Sequence, residues 1–382
     1  MKSSIYHYYP EKDIKKEYKF WDTQLVPKFS ENISNKLGPI KNEIKEEDIP
    51  KQPEELPEKD MEWVLIDINK EGELEKIYNF LIKNYYEDKD FIEQYSLNFL
   101  KWQFSPIENN PHKNILLSIQ KNGKIIAFFS GLPLKLSVYG KTILTYNISF
   151  LCIDINYRNK RLAEYMFKEM FRRTYLEKVF QNIFVSKLLI PRPFAECTYY
   201  YAEVKSTIKK FKINKKKFFN KFRLMEKKDV KGVCKLISNS QKKFKIYSIF
   251  SEEEIEHWFI PIKDVIYSFV KEDKNNIITD FTSFYVINAK IDGINEKWCY
   301  IYFNIATSIT SEKLFENSLI LAEQCGIDYY IGNSINNYEN ILKKYKFNSN
   351  LEDGDLSENH KYYFNNFICP ETECKDISLI LI

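Results

Sequence analysis

The residues best suited to chemistry form a basic turn that follows a long apolar segment. Arg158, Lys160 and Arg161 stand close together where apolar residues give way to a helical pattern. The first turn of a helix presents unpaired backbone N–H groups and the positive end of the helix dipole, so such a turn can bind phosphate. The turn contains no glycine, which excludes a P-loop or a dinucleotide-binding fingerprint. We predict a phosphate-binding turn, with solvated basic side chains as the alternative.

Other kinds of chemistry have little support in the sequence. The chain has seven cysteines without metal-ligand spacing and only four histidines, so a zinc site is not expected. Cys152 stands in an apolar strand, where burial would raise the pKa of its thiol, and His257 is interpreted as structural. No Ser/His/Asp arrangement is evident. We therefore expect neither a metal nor a permanently bound cofactor.

Composition and charge narrow the class of protein. With 57 Lys and Arg against 53 Asp and Glu in 382 residues, the chain is too balanced to predict specific binding of nucleic acid. No apolar run reaches the ~18 residues of a transmembrane segment, and the first residues lack the apolar core of a secretory signal. We expect a cytoplasmic protein with reduced thiols and no transmembrane segment.

The elements that must position the basic turn follow from hydrophobic periodicity and turn residues. In the first half we predict a helix at 73–84, strands at 114–120, 124–130 and 142–153, a helix at 160–175 and a strand at 180–190. In the second half we predict a helix at 251–259, strands at 280–289 and 297–306, a helix at 311–325, a strand at 327–332, a helix at 337–345 and a strand at 377–382. Both halves repeat one order of elements, which indicates a duplicated α/β unit.

The same patterns divide the chain into four parts. Residues 1–60 form an N-terminal arm and linker, residues 61–204 an N-terminal half, and residues 224–382 a C-terminal half. Between the halves, residues 205–223 carry nine Lys and Arg and no acidic residue. We interpret this stretch as a solvated basic connector. Contact with an anionic partner, such as the ribosome or a membrane surface, is the alternative.

Several segments in a fixed order resemble the N-myristoyltransferase family over about residues 18–382. The segment at 18–24 is similar to the family's CoA-clasping motif, and those at 147–153 and 158–163 are similar to its acyl-CoA signature. The segment at 191–193 and the apolar end at 377–382 also match. Because the matches are ordered along almost the whole chain, the resemblance is specific.

The resemblance implies an α/β (α+β) fold of two fused GNAT-like acyltransferase halves around a continuous mixed sheet. It implies transfer of myristate from myristoyl-CoA, a co-substrate, to the N-terminal glycine of other proteins. In that reaction the backbone N–H groups of Phe150 and Leu151 form an oxyanion hole, and the C-terminal carboxylate of Ile382 acts as the base. The N-terminal half binds the acyl-CoA and the C-terminal half binds the peptide.

Further site residues come from the same resemblance. The residues implied for acyl-CoA binding are Tyr18, Lys19, Phe20, Trp21, Phe150, Leu151, Cys152, Ile153, Arg158, Asn159, Lys160, Arg161, Leu162 and Ala163. The residues implied for peptide binding are Tyr85, Glu87, Asp88, Asp90, Tyr199 and Tyr285. Several positions depart from the family: residues 147–149 stand for its Glu-Ile-Asn, residues 185–187 stand for its Thr-Ala-Gly, and Tyr201 stands for its histidine. A non-catalytic acyl-CoA or glycine-peptide binding protein and a GNAT-type N-acetyltransferase are the alternatives.

Overall fold

The computed structural model describes residues 11–42, 44–85, 91–214, 222–291, 293–349 and 359–382. Glu87, Asp88 and Asp90, which the sequence assigns to peptide binding, lie outside these residues, as does 215–221 of the basic connector. In the part of the chain that is described, no helix combines the length and the apolar character needed to cross a membrane.

Helices form where apolar residues recur at helical spacing, and a capping side chain begins some of them, namely α3, α7 and α8. They are α1 (Glu11–Ile14), α2 (Glu73–Asn84), α3 (Leu97–Phe104), α4 (Leu162–Leu176), α5 (Val204–Lys210), α6 (Val230–Gln241), α7 (Glu252–Phe259), α8 (Ser311–Gln324) and α9 (Glu339–Lys344). The bounds of α2 are those predicted. Ser96 caps α3 by accepting a hydrogen bond from the Phe99 N–H (3.1 Å), and Ser251 forms a capping box with Glu254 at α7.

Strands make up the rest of the regular structure. They are β1 (Met61–Leu65), β2 (Phe91–Gln94), β3 (Ile115–Lys121), β4 (Lys124–Val138), β5 (Lys141–Ile153), β6 (Asn182–Ser186), β7 (Ala195–Cys197), β8 (Tyr199–Glu203), β9 (Arg223–Leu224), β10 (Ile246–Ser248), β11 (Ile266–Glu272), β12 (Ile278–Ile291), β13 (Ile294–Ala306), β14 (Tyr329–Asn333), β15 (Asn348–Ser349), β16 (His360–Asn365) and β17 (Ile377–Ser378). Short turns join β3 to β4 and β4 to β5, as the Asn-Gly and Tyr-Gly pairs predict.

The strands assemble into two mixed sheets. The first has the order β1-β3-β4-β5-β6-β16-β7, with β10 beside β4 and β17 beside β10. The second has the order β15-β8-β14-β13-β12-β11-β9, with β2 beside β12. The pairs β5–β6, β13–β14 and β10–β17 are parallel, whereas the hairpin neighbours are antiparallel.

The α/β class is confirmed, but the continuous sheet that the resemblance implies is divided in two. The chain passes from the first sheet to the second at Thr198, between β7 and β8. There the Thr198 N–H donates to the Ser334 hydroxyl (3.1 Å), and the Thr198 carbonyl accepts from the Ser334 N–H (3.0 Å). The Thr198 N–H thus bonds to a side chain instead of a backbone carbonyl at the residue where the chain leaves β7 of the first sheet and enters β8 of the second.

Each sheet contains one copy of the repeated order of elements. β3, β4, β5, α4 and β6 form the first copy, and β11, β12, β13, α8 and β14 form the second. Strands also cross over, because β16 and β17 join the first sheet while β2 and β8 join the second. The predicted strand at 377–382 is shorter than expected, since only Ile377 and Ser378 pair with β10.

The N-terminal arm is attached to the first sheet through the segment that follows β16. Val26 and Ile33 of the arm are buried. The Leu25 carbonyl accepts a hydrogen bond from the Asn366 N–H (2.6 Å), and residues 38 and 368 form an isolated antiparallel bridge. These contacts hold the arm so that its aromatic residues reach α4 and β6.

Candidate active site

A cavity of about 1580 Å³ lies where the arm, both sheets and the end of the chain meet. Many of the predicted site residues line it, although they are far apart in sequence. They are Tyr18, Lys19, Phe20, Trp21, Tyr85, Phe150, Leu151, Arg161, Ala163, Tyr199, Tyr285 and Ile382. The structure therefore brings many of the residues predicted for acyl-CoA and peptide binding into one place, together with the residue predicted to carry the base.

A bulge in β5 shapes the centre of the cavity. Cys152 of β5 pairs with Phe128 of β4. Three residues earlier, Ser149 pairs with Ser130, which is only two residues along β4, so β5 holds one extra residue. Phe150 lies in this bulge with a left-handed backbone (φ 59°), a conformation that a non-glycine residue adopts at some cost. Backbone N–H groups of the bulged segment are candidate donors to an oxygen atom in the cavity.

Aromatic residues of the arm form one wall of the cavity. The Trp21 ring stacks on Phe184 of β6, with 5.6 Å between ring centroids, and meets Phe167 of α4 edge-on at 4.8 Å. Phe20 also lies against Phe167, at 6.2 Å. Because these rings are large and apolar, the wall can cover an aliphatic or heteroaromatic ligand that lies on α4.

The basic turn leads into α4 at the edge of the cavity. Arg161 has left-handed backbone angles (φ 54°) and stands directly before the helix. Its guanidinium donates to the Glu164 carboxylate (2.8 Å), and 67% of the side chain is exposed. Ala163 lines the cavity beside it. A cation and the first turn of a helix thus stand together, which is the arrangement that binds phosphate.

Five tyrosines, here called the tyrosine wall, line another side of the cavity: Tyr85, Tyr95, Tyr199, Tyr285 and Tyr300. Tyr95 packs against Phe150 with 5.1 Å between ring centroids. Tyr285 and Tyr300 stack almost in parallel, at 4° and 5.2 Å. The wall therefore extends from the bulge in the first sheet to strands of the second.

Hydroxyl groups of the tyrosine wall keep their protons. Burial raises the pKa of Tyr85, Tyr199 and Tyr285 well above the usual range, so these groups are neutral donors and acceptors at ordinary pH. The Tyr300 hydroxyl donates to the carboxylate of Glu93, which also lines the cavity. The wall therefore offers polar groups to a ligand on an otherwise apolar surface.

The end of the chain lies in the same cavity. Gln103 of α3 donates from Nε2 to the main-chain oxygen of Ile382 (3.2 Å), and Asn147 of β5 donates from Nδ2 to the same oxygen (3.3 Å). Both amides are buried, and Leu379 packs in the core. Two buried donors therefore hold an oxygen of Ile382 at a defined position in the cavity.

Two family models together match almost the whole chain. The model described as Myristoyl-CoA:protein N-myristoyltransferase, N-terminal domain, matches residues 39–197. The model of the C-terminal domain of the same family matches residues 195–378. This chain belongs to the N-myristoyltransferase family. The resemblance seen in the sequence is confirmed.

Relatives within the N-myristoyltransferase family extend over nearly the full length. The glycylpeptide N-tetradecanoyltransferase of Plasmodium falciparum (isolate 3D7) is 31% identical over 395 residues, covering 97% of this chain and 94% of the relative. That of Dictyostelium discoideum is 33% identical over 396 residues, covering 96% and 93%. The fold is that of the N-myristoyltransferase of Saccharomyces cerevisiae solved with bound myristoyl-CoA, with a TM-score of 0.83, 24% identity and coverage of 96% and 95%.

Two cations of the basic turn, Arg158 and Lys160, bond to other residues of the chain and do not line the cavity. The Arg158 guanidinium donates to the carbonyls of Asn84 (2.7 Å) and Ile153 (3.3 Å). Lys160 forms an ion pair with Glu58. Among the described residues of the turn, Arg161 is thus the cation that lines the cavity. The other predicted acyl-CoA residues outside the lining are Cys152, Ile153, Asn159 and Leu162.

Thiol and metal chemistry receive no support from the described part of the chain. Burial raises the pKa of the Cys152 thiol to about 12, so a nucleophilic thiolate is disfavoured there. Within the same described ranges, no group of three or more His, Cys, Asp and Glu side chains is arranged to hold a metal ion.

The structure adds lining residues that the sequence analysis did not assign. They include Glu93, Tyr95, Tyr300 and His360. Tyr300 and Tyr302 are two residues apart in β13, a spacing typical of side chains on one face of a strand. This spacing is a signal that could have placed Tyr300 beside Tyr285 on the neighbouring strand. Glu93 and His360 carry no comparable signal, because each lies in a short strand whose polar and apolar residues do not alternate.

Proposed function

We propose that this protein transfers myristate from myristoyl-CoA to the N-terminal glycine amine of client proteins. The observation that carries the proposal is the shared cavity, in which the arm, the bulge at Phe150, the start of α4 and the chain end at Ile382 come together. Membership of the N-myristoyltransferase family supports the same activity. The reaction occurs in the cytoplasm, on peptides that include those leaving the ribosome.

The acyl-CoA occupies the side of the cavity formed by the arm and α4. Residues 61–204 supply most of this side and residues 224–382 most of the peptide side, with 1–60 as the arm and 205–223 as the connector. Arg161, Lys19 and the first turn of α4 bind the CoA phosphates. Tyr18, Phe20 and Trp21 close over the bound cofactor, which the packing of the two rings against Phe167 supports.

The length of the acyl group that the cavity binds distinguishes a myristoyltransferase from an acetyltransferase. Burying a fourteen-carbon chain at ~0.8 kcal/mol per methylene gives roughly 10 kcal/mol, which an acetyl group cannot supply. Apolar lining residues support this reading, and Phe129, Phe167, Phe184 and Ile190 are among them. We therefore place the acyl chain along this apolar part of the lining.

The glycine amine attacks the thioester carbonyl carbon directly, without an acyl-enzyme. The carboxylate of Ile382 takes one proton from the glycine ammonium and releases it to solvent. Negative charge on the tetrahedral oxygen is stabilised by the backbone N–H groups of Phe150 and Leu151. The C–S bond then breaks, and the second proton passes from the nitrogen to the sulfur of the departing CoA. The bulge in β5 supports this role, since bulged backbone groups lie outside the ladder.

The carboxylate must remove a proton from a group of much higher pKa. In water an N-terminal amine and a C-terminal carboxyl differ by about 4 pKa units, and removal from water narrows the difference by favouring both neutral forms. Gln103 and Asn147 hold the Ile382 oxygen inside a largely apolar cluster, which supports such an environment. The base is thus oriented by two amides that carry no charge of their own.

The peptide lies along the tyrosine wall, where Tyr85, Tyr199 and Tyr285 contact it. Glu87, Asp88 and Asp90 favour a basic residue further along the peptide. Residues 185–187, which replace the family's Thr-Ala-Gly, line the same cavity. We therefore expect the acceptor peptides of this chain to differ from those of relatives more than its acyl donor does.

One experiment tests the function against its alternatives. The purified protein is incubated with a Gly-initiated peptide and either myristoyl-CoA or acetyl-CoA, and the products are weighed by mass spectrometry. We expect the mass of one myristoyl group on the glycine peptide and none on a peptide that begins with alanine. Transfer of acetate alone would establish an acetyltransferase. Tight binding of both substrates without any product would establish a non-catalytic binder.

A further inference from the structure

His360 is a lining residue for which the proposed mechanism has no use. It is the first residue of β16, and its ring meets Tyr199 of the tyrosine wall at 4.5 Å in an edge-to-face contact. Of the four histidines in the chain, His257 has a structural bond to the Trp102 carbonyl (2.9 Å) and does not line the cavity. An imidazole placed in a cavity without such a structural bond calls for a different explanation.

The His360 ring is polar, deeply buried and incompletely bonded. Its Nδ1 atom is buried and has no hydrogen-bond partner among the described residues. Buried polar atoms without partners are uncommon in folded proteins, because each loses its bonds to water and gains nothing in return. A ligand that enters the cavity can form a hydrogen bond with the other ring nitrogen, Nε2.

Burial and nearby charges determine the protonation state of the ring, and the bonding of its nitrogens determines where the remaining proton lies. Burial and the positive charges of Lys187 and Lys361 lower the pKa of His360 to about 3, so the ring is neutral near pH 7. A neutral imidazole has one N–H group and one lone pair. Among the described residues no acceptor faces the buried Nδ1, so an N–H group there would be left unbonded, which favours the lone pair on Nδ1 and the proton on Nε2. Since His360 lines the cavity while Nδ1 is buried, Nε2 is the nitrogen that faces the cavity.

We infer that His360 is a specificity-determining residue whose Nε2–H group donates a hydrogen bond to an oxygen atom of the acceptor peptide beyond its glycine. The inference deepens the proposed function and rests on it. Tyr95 packs against Phe150, whereas a different ring of the tyrosine wall, Tyr199, packs against His360, so we place the oxygen on a residue further along the peptide. The oxygen comes from a Ser or Thr hydroxyl or from a peptide carbonyl. Cationic side chains are disfavoured there by the two lysines.

Peptide binding, rather than turnover, provides the test. The full chain is saturated with a non-transferable thioether analogue of myristoyl-CoA, and the dissociation constant of a Gly-x-x-x-Ser peptide is measured by isothermal titration calorimetry. His360→Leu removes both ring nitrogens, whereas His360→Gln keeps an N–H donor close to the position of Nε2. We expect His360→Leu to weaken peptide binding about 3- to 10-fold and His360→Gln to weaken it less than about 2-fold. His112→Leu, a partly buried histidine outside the cavity lining, is the matched control and should match the unaltered chain.

A second peptide with alanine in place of serine identifies the source of the oxygen. If the hydroxyl is the acceptor, His360→Leu has no further effect on the alanine peptide; if a carbonyl is the acceptor, the effect is the same for both peptides. Either result supports the inference. Equal affinities of the unaltered chain and His360→Leu for both peptides would overturn it, and so would equal losses in His360→Leu and His360→Gln. Because binding is measured without transfer, absence of acylation by the unaltered chain would reject the proposed function and leave this result standing.

Discussion

The two sides of the cavity are built in different ways. The acyl-CoA side is made of short contiguous segments, namely the aromatic residues of the arm, the bulge in β5 and the first turn of α4. The peptide side is made of single side chains from β2, β8, β12, β13 and β16, which are distant in sequence. The bulge and the first turn of α4 leave backbone N–H groups available, whereas the backbone groups of paired strands are already bonded, so those strands contribute mainly their side chains. We infer that the first side provides the chemistry and the second the choice of substrate.

This difference explains where the chain departs from its family. Changes before the bulge, at Asn147 and Ser149, leave the backbone of Phe150 free to bond because an N–H group belongs to every residue but proline. Changes on the peptide side, at 185–187 and at Tyr201, replace the side chain itself. We therefore expect substitution on the proposed peptide side to alter specificity directly, and substitution before the bulge to leave the backbone donors in place.

The largest effect is expected from removing Ile382, where the two sides meet. If its carboxylate is the base, deletion of Ile382 lowers kcat by about 10²- to 10⁴-fold, which is the usual contribution of a general base. Binding of myristoyl-CoA, measured by calorimetry, stays close to normal because the arm and α4 are unchanged. Ile382→Leu keeps the carboxylate and serves as the matched control, with nearly full activity. Full activity after a C-terminal extension would contradict the assignment.

The sequence predicts elements well where a helix has one apolar and one polar face, or where a turn pair containing glycine marks a hairpin. The helix at 73–84 is α2 without change, and both long hairpins are present. By contrast β16 was not predicted, because five of its six residues are buried and the buried set includes Lys361. A strand with both faces covered has no alternation to detect. Contacts of Lys361 with the carbonyls of Lys187 (2.9 Å) and Asn359 (3.0 Å) make its burial possible, and no local pattern reveals them.

The lining of the cavity was predictable where one contiguous motif supplies it. Residues 18–21 and the bulge line the cavity as the motifs indicate. Arg158 does not, because the carbonyl of Asn84, distant in sequence, binds its guanidinium (2.7 Å). A run of cations in a sequence thus shows that charge is present, but long-range partners determine which of the side chains remains at the surface of the cavity.

The next effect concerns the peptide side and the pH dependence of stability. Because the pKa of His360 falls from 6.5 to about 3 on folding, the unfolded chain binds more protons between these values. The contribution of the neutral His360 ring to the free energy of unfolding is thus complete above pH 6.5, and it is lost as the pH falls toward 3. At pH 5 it is smaller by roughly 2 kcal/mol than at pH 7.5. In urea titrations at the two pH values, His360→Gln should lose that much less stability than the unaltered chain on acidification. An equal loss in both proteins would show that the ring is free to ionise.

A smaller effect is expected at the cation that lines the acyl-CoA side. Arg161→Ala removes a mostly exposed guanidinium, so we expect myristoyl-CoA to bind about 3- to 10-fold more weakly at low salt. The loss should shrink as ionic strength rises, because salt screens exposed charges. Both statements are tested by measuring the dissociation constant of myristoyl-CoA at about 20 mM and about 500 mM salt. Exposed charges are screened weakly at the lower concentration and strongly at the higher one. A loss that is independent of salt would indicate a structural role for Arg161 instead.

The smallest effect is expected one residue earlier, at Lys160. It compares two cations of the basic turn, because Arg161 lines the cavity and Lys160 does not. Lys160 pairs with Glu58, and Lys121 pairs with the same carboxylate (2.6 Å), so that together they hold the pKa of Glu58 below its usual range. Lys160→Ala leaves Lys121 in place, so the segment before β1 keeps an ionic contact. We expect myristoyl-CoA affinity to change less than about 2-fold, since exposed pairs contribute little and Lys160 does not line the cavity. A loss as large as that of Arg161→Ala, with the same salt dependence, would mean that the turn attracts the phosphates through its total charge. The position of Arg161 at the start of α4 would then have no special importance.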